Sequence, residues 1–332
     1  MKDFSTASLS MDKTSGFLGK ADNSSVRGAL FKGLSCLCFS GIYGCVRYLA
    51  LTANELGIPP LPATEVVFFE TLFGLLFILP WALSTGMSAF KATHHLLYLA
   101  RVLVVCFGTI LWFMALSKMP IVQVVAFKYI TPLFTLLGAK IFLSEKCGWG
   151  RGLAIGVTFV GAFLITGNKL LESGVQWMEI SYLAIFPLGA VVCHALSAVF
   201  GKKQAKNDSP QTISLYLLLL AVPILGFASS FQWVTPLSWH WPWFVLMGGL
   251  LAGAYIFLSQ AYAIVDITYL IPVSFIRLIA AAVIGMVFFS EWPTFWIGLG
   301  SFFILGATAV LCQYESQQSR QAKAEFKRQA LT

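Results

Sequence analysis

Ten stretches of roughly 20 apolar residues, each long enough to cross about 30 Å of hydrocarbon as a helix, take up about two thirds of this chain. They run over about residues 28–50, 64–84, 95–116, 120–143 and 149–167, and then 179–200, 211–231, 241–264, 267–289 and 294–313. In a chain of 332 residues the remainder is two short tails and tight loops, so no extramembrane catalytic or binding domain fits. The runs are continuous and do not alternate with a period of two, so helices are expected and a β-barrel is not. A composition of 58% hydrophobic and 11% charged residues agrees with an all-α integral membrane protein.

The net charge of +8 raises the question of a nucleic-acid partner, and the positions of the 22 Lys and Arg residues argue against one. With both termini cytoplasmic, inner segments hold fourteen basic residues, among them Lys91, Lys146, Arg151, Lys202, Lys203 and Lys206, against Lys118 and Lys169 outside. Basic residues near span ends stay on the cytoplasmic side, so this asymmetry supports ten spans with that orientation. Residues 1–27 read as a disordered cytoplasmic tail without a signal peptide, and residues 314–332 as a second cytoplasmic tail. The seven cysteines, without a CxxC, suggest packing thiols, with no metal site and no cofactor. Trp239, Trp241, Trp243, Trp292 and Trp296 lie where interface anchors belong.

Sliding the chain by 146 positions places Ala115 on Ala261, Ile121 on Ile267, Ile130 on Ile276, and Ser144-Glu145 on Ser290-Glu291. This indicates a duplicated unit, with one copy over residues 28–168 and the other over 177–313. Five spans per copy is an odd number, so the second copy enters the membrane from the opposite side. Inverted pairs of this kind are common in carriers, which bind substrate near the midplane where the copies meet.

Arg101, then Trp112, Phe113, Ala115 and Leu116, Pro120, Pro132-Leu133 and Leu143-Ser144-Glu145 resemble the first half of an EamA-type drug/metabolite transporter. Pro272, Ser274, Arg277-Leu278 and Phe289-Ser290-Glu291 resemble its second half. The resemblance covers residues 28 to 313 and implies a ten-helix bundle around a central cavity, in a bacterial inner membrane, moving small metabolites by alternating access. The P-x-S-x-x-R-L arrangement of the ninth span is similar to that of S-adenosylmethionine carriers of obligate intracellular bacteria. It implies uptake of that compound, with exchange for S-adenosylhomocysteine as one mode. Two departures are Leu278, where many members repeat the proline found at Pro132, and Lys128, where that subset has a neutral residue.

Cations inside the spans mark the candidate site. Lys32, Lys140 and Arg47 lie near span ends, where long side chains snorkel to the interface. Arg101 is about two turns, roughly 9 Å, inside the third span. Lys128 and Arg277 are deep, and each costs about 2.5–3.5 kcal/mol at a helix centre unless it faces a wet cavity or a partner. In the repeat register Lys128 and Thr131 fall on Ser274 and Arg277, a cation and a hydroxyl spaced i, i+3 in each copy but in reversed order. The expectation is that these faces oppose each other and hold an anionic group of a zwitterionic or anion-bearing metabolite, Arg277 offering a planar fork for a carboxylate. The competing arrangement pairs Arg277 with Glu70 or Asp266 and sends Lys128 to a backbone carbonyl. Glu70, the deepest acid, and the aromatic side chains Trp112 and Tyr255 complete the candidate substrate-binding set, while His194 reads as packing.

Two other functions compete. An exporter of amino acids or other metabolites has the same architecture, and direction of transport is not encoded in these features. An integral-membrane transferase is disfavoured, because clustered acids are absent and His94-His95 has no metal-ligand partner at suitable spacing. The only partners expected are the bilayer and a small molecule, and oligomeric state is not readable.

Overall fold

The computed structural model describes residues 4–84, 94–131, 134, 156–157, 160–161, 164, 177–204, 207–264, 272–303, 305–307 and 310, with side chains from Val26 onward. Most of the fifth span, the Leu143-Ser144-Glu145 motif, Pro132-Leu133, Lys140, Asp266 and the 314–332 tail lie outside the described residues. Helix α1 covers Phe4–Glu55, α2 Ala63–Ser84, α3 His95–Lys118 and α4 Ile121–Phe127. They are followed by α5 (Trp177–Gln204), α6 (Pro210–Ser230), α7 (Trp241–Ile264), α8 (Ile276–Phe289) and a last apolar helix α9, Phe295–Ala307. Six of these contain segments apolar and long enough to cross a membrane: Val26–Glu55, Ala63–Ser84, His95–Lys118, Leu183–Gly201, Gln211–Ser230 and Ser238–Ile264.

The helix ends follow local chemistry. At the start of α6, Ser209 accepts the Thr212 amide at 3.2 Å and Pro210 takes the first helical position, where its missing N–H is not needed. One expectation fails at the N-terminus. The first 27 residues were expected to be disordered, whereas α1 is helical from Phe4 and runs unbroken into the first span. Helix propagation from the buried segment explains this, since adding residues to an existing helix avoids the cost of nucleation.

Helix α1 packs on α7 and α8, α3 on α5 and α6, α2 on α6 and α7, and α4 on α8. Lipid tails offer no hydrophobic drive for helix association, so close approach at small residues matters. Helices α2 and α7 meet at Gly74 and Gly248, where a Cβ added to Gly248 would fall 2.7 Å from the Phe73 carbonyl carbon and 2.8 Å from the Gly74 nitrogen. No side chain fits there, because the obstacle is backbone.

Both halves depart from α-helix at corresponding places. In the first, α4 tightens into a 3-10 turn at Lys128–Ile130; in the second, a 3-10 turn at Pro272–Phe275 precedes α8. The shift of 146 carries 128–130 onto 274–276, so the two turns overlap in the repeat register. Such turns within a span re-aim side chains and mark hinges.

Candidate substrate chamber

A cavity of about 360 Å³ lies between α1, α2, α3, α5, α6 and α7, with Lys128 of the first 3-10 turn and Arg277 at the start of α8 contributing one wall. Its size is within the roughly 300–1,000 Å³ usual for small-molecule sites. Lys128, Arg277, Glu70, Arg101, Trp112 and Tyr255 all line it. Thr131 and Ser274 do not. The Thr131 hydroxyl donates to the Lys128 carbonyl at 2.6 Å, and the Ser274 carbonyl accepts the Tyr129 hydroxyl at 2.7 Å, which ties the two 3-10 regions to each other.

Lys128 Nζ sits 3.0 Å from His194 Nδ1 and 4.8 Å from the centre of the Trp112 ring. The two nitrogens are within hydrogen-bonding distance, and the tautomer of His194 sets which of them donates. The histidine read as packing is therefore part of the chamber wall. Trp112 is held in turn by Tyr43, ring centres 5.6 Å apart, and its buried Nε1 has no hydrogen-bond partner among the described residues.

Arg277 lies with its guanidinium 4.5 Å from the Phe39 ring centre, and its backbone carbonyl accepts the Ser40 hydroxyl at 3.1 Å. The guanidinium also bonds to the Tyr43 and Cys36 side chains, and its buried Nε makes no hydrogen bond among the described residues. The pairing with Glu70 is not formed. Glu70 is 4% exposed, lines the chamber, and has no hydrogen-bond or ion-pair partner among the described residues. Nor does Lys128 turn to a backbone carbonyl.

Arg101 crosses onto α5, donating from Nη1 to Gln204 Oε1 at 2.5 Å and from Nε to Ser197 Oγ at 3.3 Å. Gly201 makes this possible, since a Cβ there would stand 3.1 Å from the guanidinium carbon.

Two cations expected to snorkel do otherwise. Lys32 is 7% exposed and lines the chamber, its Nζ 5.3 Å from the centre of the Tyr262 ring. The reason is that α1 is packed on α7 along this length, so the side chain turns inward. Arg47 forms an ion pair with Glu291, Nη2 to Oε1 at 2.6 Å, because the turn after α8 brings that carboxylate alongside α1. Sequence reasoning also passed over Phe39 and Tyr43, although Lys32, Phe39 and Tyr43 follow the i, i+7, i+11 spacing of one helical face.

The chain is 28% identical to a riboflavin transporter of Rhizobium johnstonii, over 96% of this chain and 99% of that one. It is 30% identical to a riboflavin transporter of Brucella anthropi, over 79% and 92%. With an S-adenosylmethionine uptake transporter of Rickettsia prowazekii it shares 26% over 79% and 86%. A solved crystal structure of 14% identity superposes with a TM-score of 0.58, covering 86% of this chain and 98% of that one, and supports the fold alone. The model of the EamA-like transporter family matches twice, at residues 28–167 and 179–313. The chain is not an enzyme but a multi-pass membrane protein that belongs to the EamA-like transporter family.

Proposed function

We propose that this protein is a ten-helix carrier of the inner membrane, both termini cytoplasmic, that takes up riboflavin or a closely similar flavin through the chamber. Its two halves form an inverted pair. The double family match and the helix packing support this: α1 on α7 answers α3 on α5, α2 on α7 answers α6 on α3, and α4 meets its counterpart α8. The binding residues are Lys128, Arg277, Arg101, Glu70, Trp112 and Tyr255, joined by Lys32, His194 and Tyr43.

The carrying observation is the balance of charge and aromatic surface in the lining. Lys32, Arg101, Lys128 and Arg277 face the chamber against one carboxyl, Glu70, with Phe39, Tyr43, Trp112, Tyr255 and Tyr262 as rings. Such a wall favours a flat solute with several acceptor atoms, since ring faces stack and Arg and Lys only donate. The isoalloxazine ring, with two carbonyl oxygens and unprotonated ring nitrogens, fits that description. S-adenosylmethionine carries a sulfonium and an ammonium against one carboxylate, and a net cation is repelled by a cationic wall. The second reading, uptake of S-adenosylmethionine, is favoured by one feature: the unpartnered Glu70, which suits an ammonium.

Uptake by proteoliposomes separates the two. Labelled riboflavin accumulates above protein-free vesicles, unlabelled riboflavin competes, and S-adenosylmethionine competes weakly. Accumulation of S-adenosylmethionine without riboflavin uptake, with competition by S-adenosylhomocysteine, replaces the flavin assignment by the second reading.

A further inference from the structure

Two cavities lie end to end in the bundle. Along α1 the chamber is lined by Phe39, Ile42 and Tyr43, and the next turns, Val46, Leu49 and Ala50, line a second cavity of about 250 Å³. Along α2 the order is Glu70 and Val67 for the chamber, then Val66 and Ala63 for the second cavity. Along α3, Thr109 and Trp112 face the chamber and Ser117 and Lys118 the second cavity. The change falls at one level on all three helices. Phe113 stands at that level, lines both spaces and is 3% exposed.

Beside this level an ion pair, neither member of which lines either cavity, ties the helices together. Arg47, next to Val46, donates from Nε and Nη2 to Glu291 Oε1 at 2.7 and 2.6 Å and from Nη1 to the Ser117 carbonyl at 3.0 Å. The other carboxylate oxygen of Glu291 accepts the Ile121 amide at 3.0 Å. One pair thus joins α1, the turn between α3 and α4, and the end of α8. Glu291 is aimed there by a tight turn, in which Ser290 takes a left-handed φ of 53° and the Glu291 amide returns to the Gly285 carbonyl at 2.9 Å. Both side chains are only 12% exposed, so water does not replace these bonds without helix movement.

We propose that Phe113 and the Arg47–Glu291 pair form a gate between the chamber and an outer vestibule, the second cavity, and that the gate is shut in this structure. The inference rests on the carrier reading but not on the identity of the solute. Passage requires the ends of α1 and α8 to part, which breaks the pair, and the Phe113 ring to leave the axis. Packed elements of this kind switch between discrete arrangements, so weakening the contact shifts the population toward the open one.

Cys106 lines the chamber below Phe113 and is 4% exposed, which makes it a native reporter. A membrane-impermeant maleimide is applied to sealed vesicles of either orientation, and modification of the Cys106 peptide is followed by mass spectrometry, with no transported compound present. In the unaltered protein Cys106 reacts slowly from the face bearing Lys118. Arg47→Gln and Phe113→Ala each raise that rate several-fold, while the rate from the opposite face stays level or falls. Rates from the Lys118 face that match the unaltered protein in both variants overturn the gate. A rise from both faces together also counts against it, because that reports loosened packing. Failure of riboflavin uptake leaves this result untouched, so the two readings fail separately.

Discussion

At the 3-10 turn of the first half, Lys128 is held by protein groups, with His194 Nδ1 at 3.0 Å and the Trp112 ring beneath it. At the corresponding region of the second half, Arg277 rests on Phe39 and bonds to the Tyr43 and Cys36 side chains, while its buried Nε has no hydrogen-bond partner among the described residues. A buried donor left unmade costs about 1–3 kcal/mol, so this arrangement persists where the donor serves a ligand. The two cations are therefore held in different ways. Both cations are positioned by neighbours, and Arg277 differs in keeping one donor, its Nε, unused among the described residues. The hydroxyls that accompany them in the repeat register do not share this division, since Thr131 is spent on the Lys128 carbonyl.

The largest effect expected from this asymmetry is at Arg277. Replacing it by Gln removes the charged donors offered to the solute, worth about 1.5–3 kcal/mol, so initial uptake at low substrate falls by roughly 10- to 150-fold while insertion is kept. Arg277→Lys retains charge and loses the planar fork, and it recovers only a minor part of the activity. Normal transport by Arg277→Gln in the proteoliposome assay removes this residue from the site.

Lys128 is the weaker of the two. Its donors are shared with His194, so Lys128→Met lowers uptake by about 10-fold, near the net worth of one charge-assisted hydrogen bond. The comparison breaks if Lys128→Met is more damaging than Arg277→Gln when both are measured at matched protein density. It sharpens if His194→Ala alone reproduces part of the Lys128 loss, because the histidine fixes where the ammonium points.

Long apolar runs gave the membrane class directly, because in hydrocarbon every backbone group must be satisfied within a helix. Each of the six membrane-length helices overlaps one span read from hydropathy, and α7, Trp241–Ile264, coincides with the eighth span. Depth was legible where charge is expensive, as at Lys128, Arg277 and Glu70, all of which line the chamber. Rotation about the helix axis was less legible. Lys32 and Arg47 lie near the ends of the first span, and distance from an edge does not tell which way a side chain turns; α7 and α8 decide it. The Arg47–Glu291 pair joins residues 244 positions apart, a contact that hydropathy does not encode. His194 was undervalued for a related reason, since its partner comes from the other half of the chain.

Arg101 extends the comparison to a third cation and gives the smallest effect. Like Lys128 it is oriented by protein, through Gln204 and Ser197 of α5, and like Lys128 it should be sensitive to its supports. Gly201→Ala leaves α5 helical and places a methyl 3.1 Å from the guanidinium carbon, so Arg101 gives way by a few tenths of an ångström and its bonds to both acceptors weaken. Loss of about 1 kcal/mol of hydrogen bonding raises the apparent KM roughly fivefold with little change in maximal rate. If the damage runs through Arg101, Gly201→Ala adds nothing in an Arg101→Lys background, whereas independent effects multiply. Additivity in that cycle would assign Gly201 to helix packing and leave Arg101 positioned by other means.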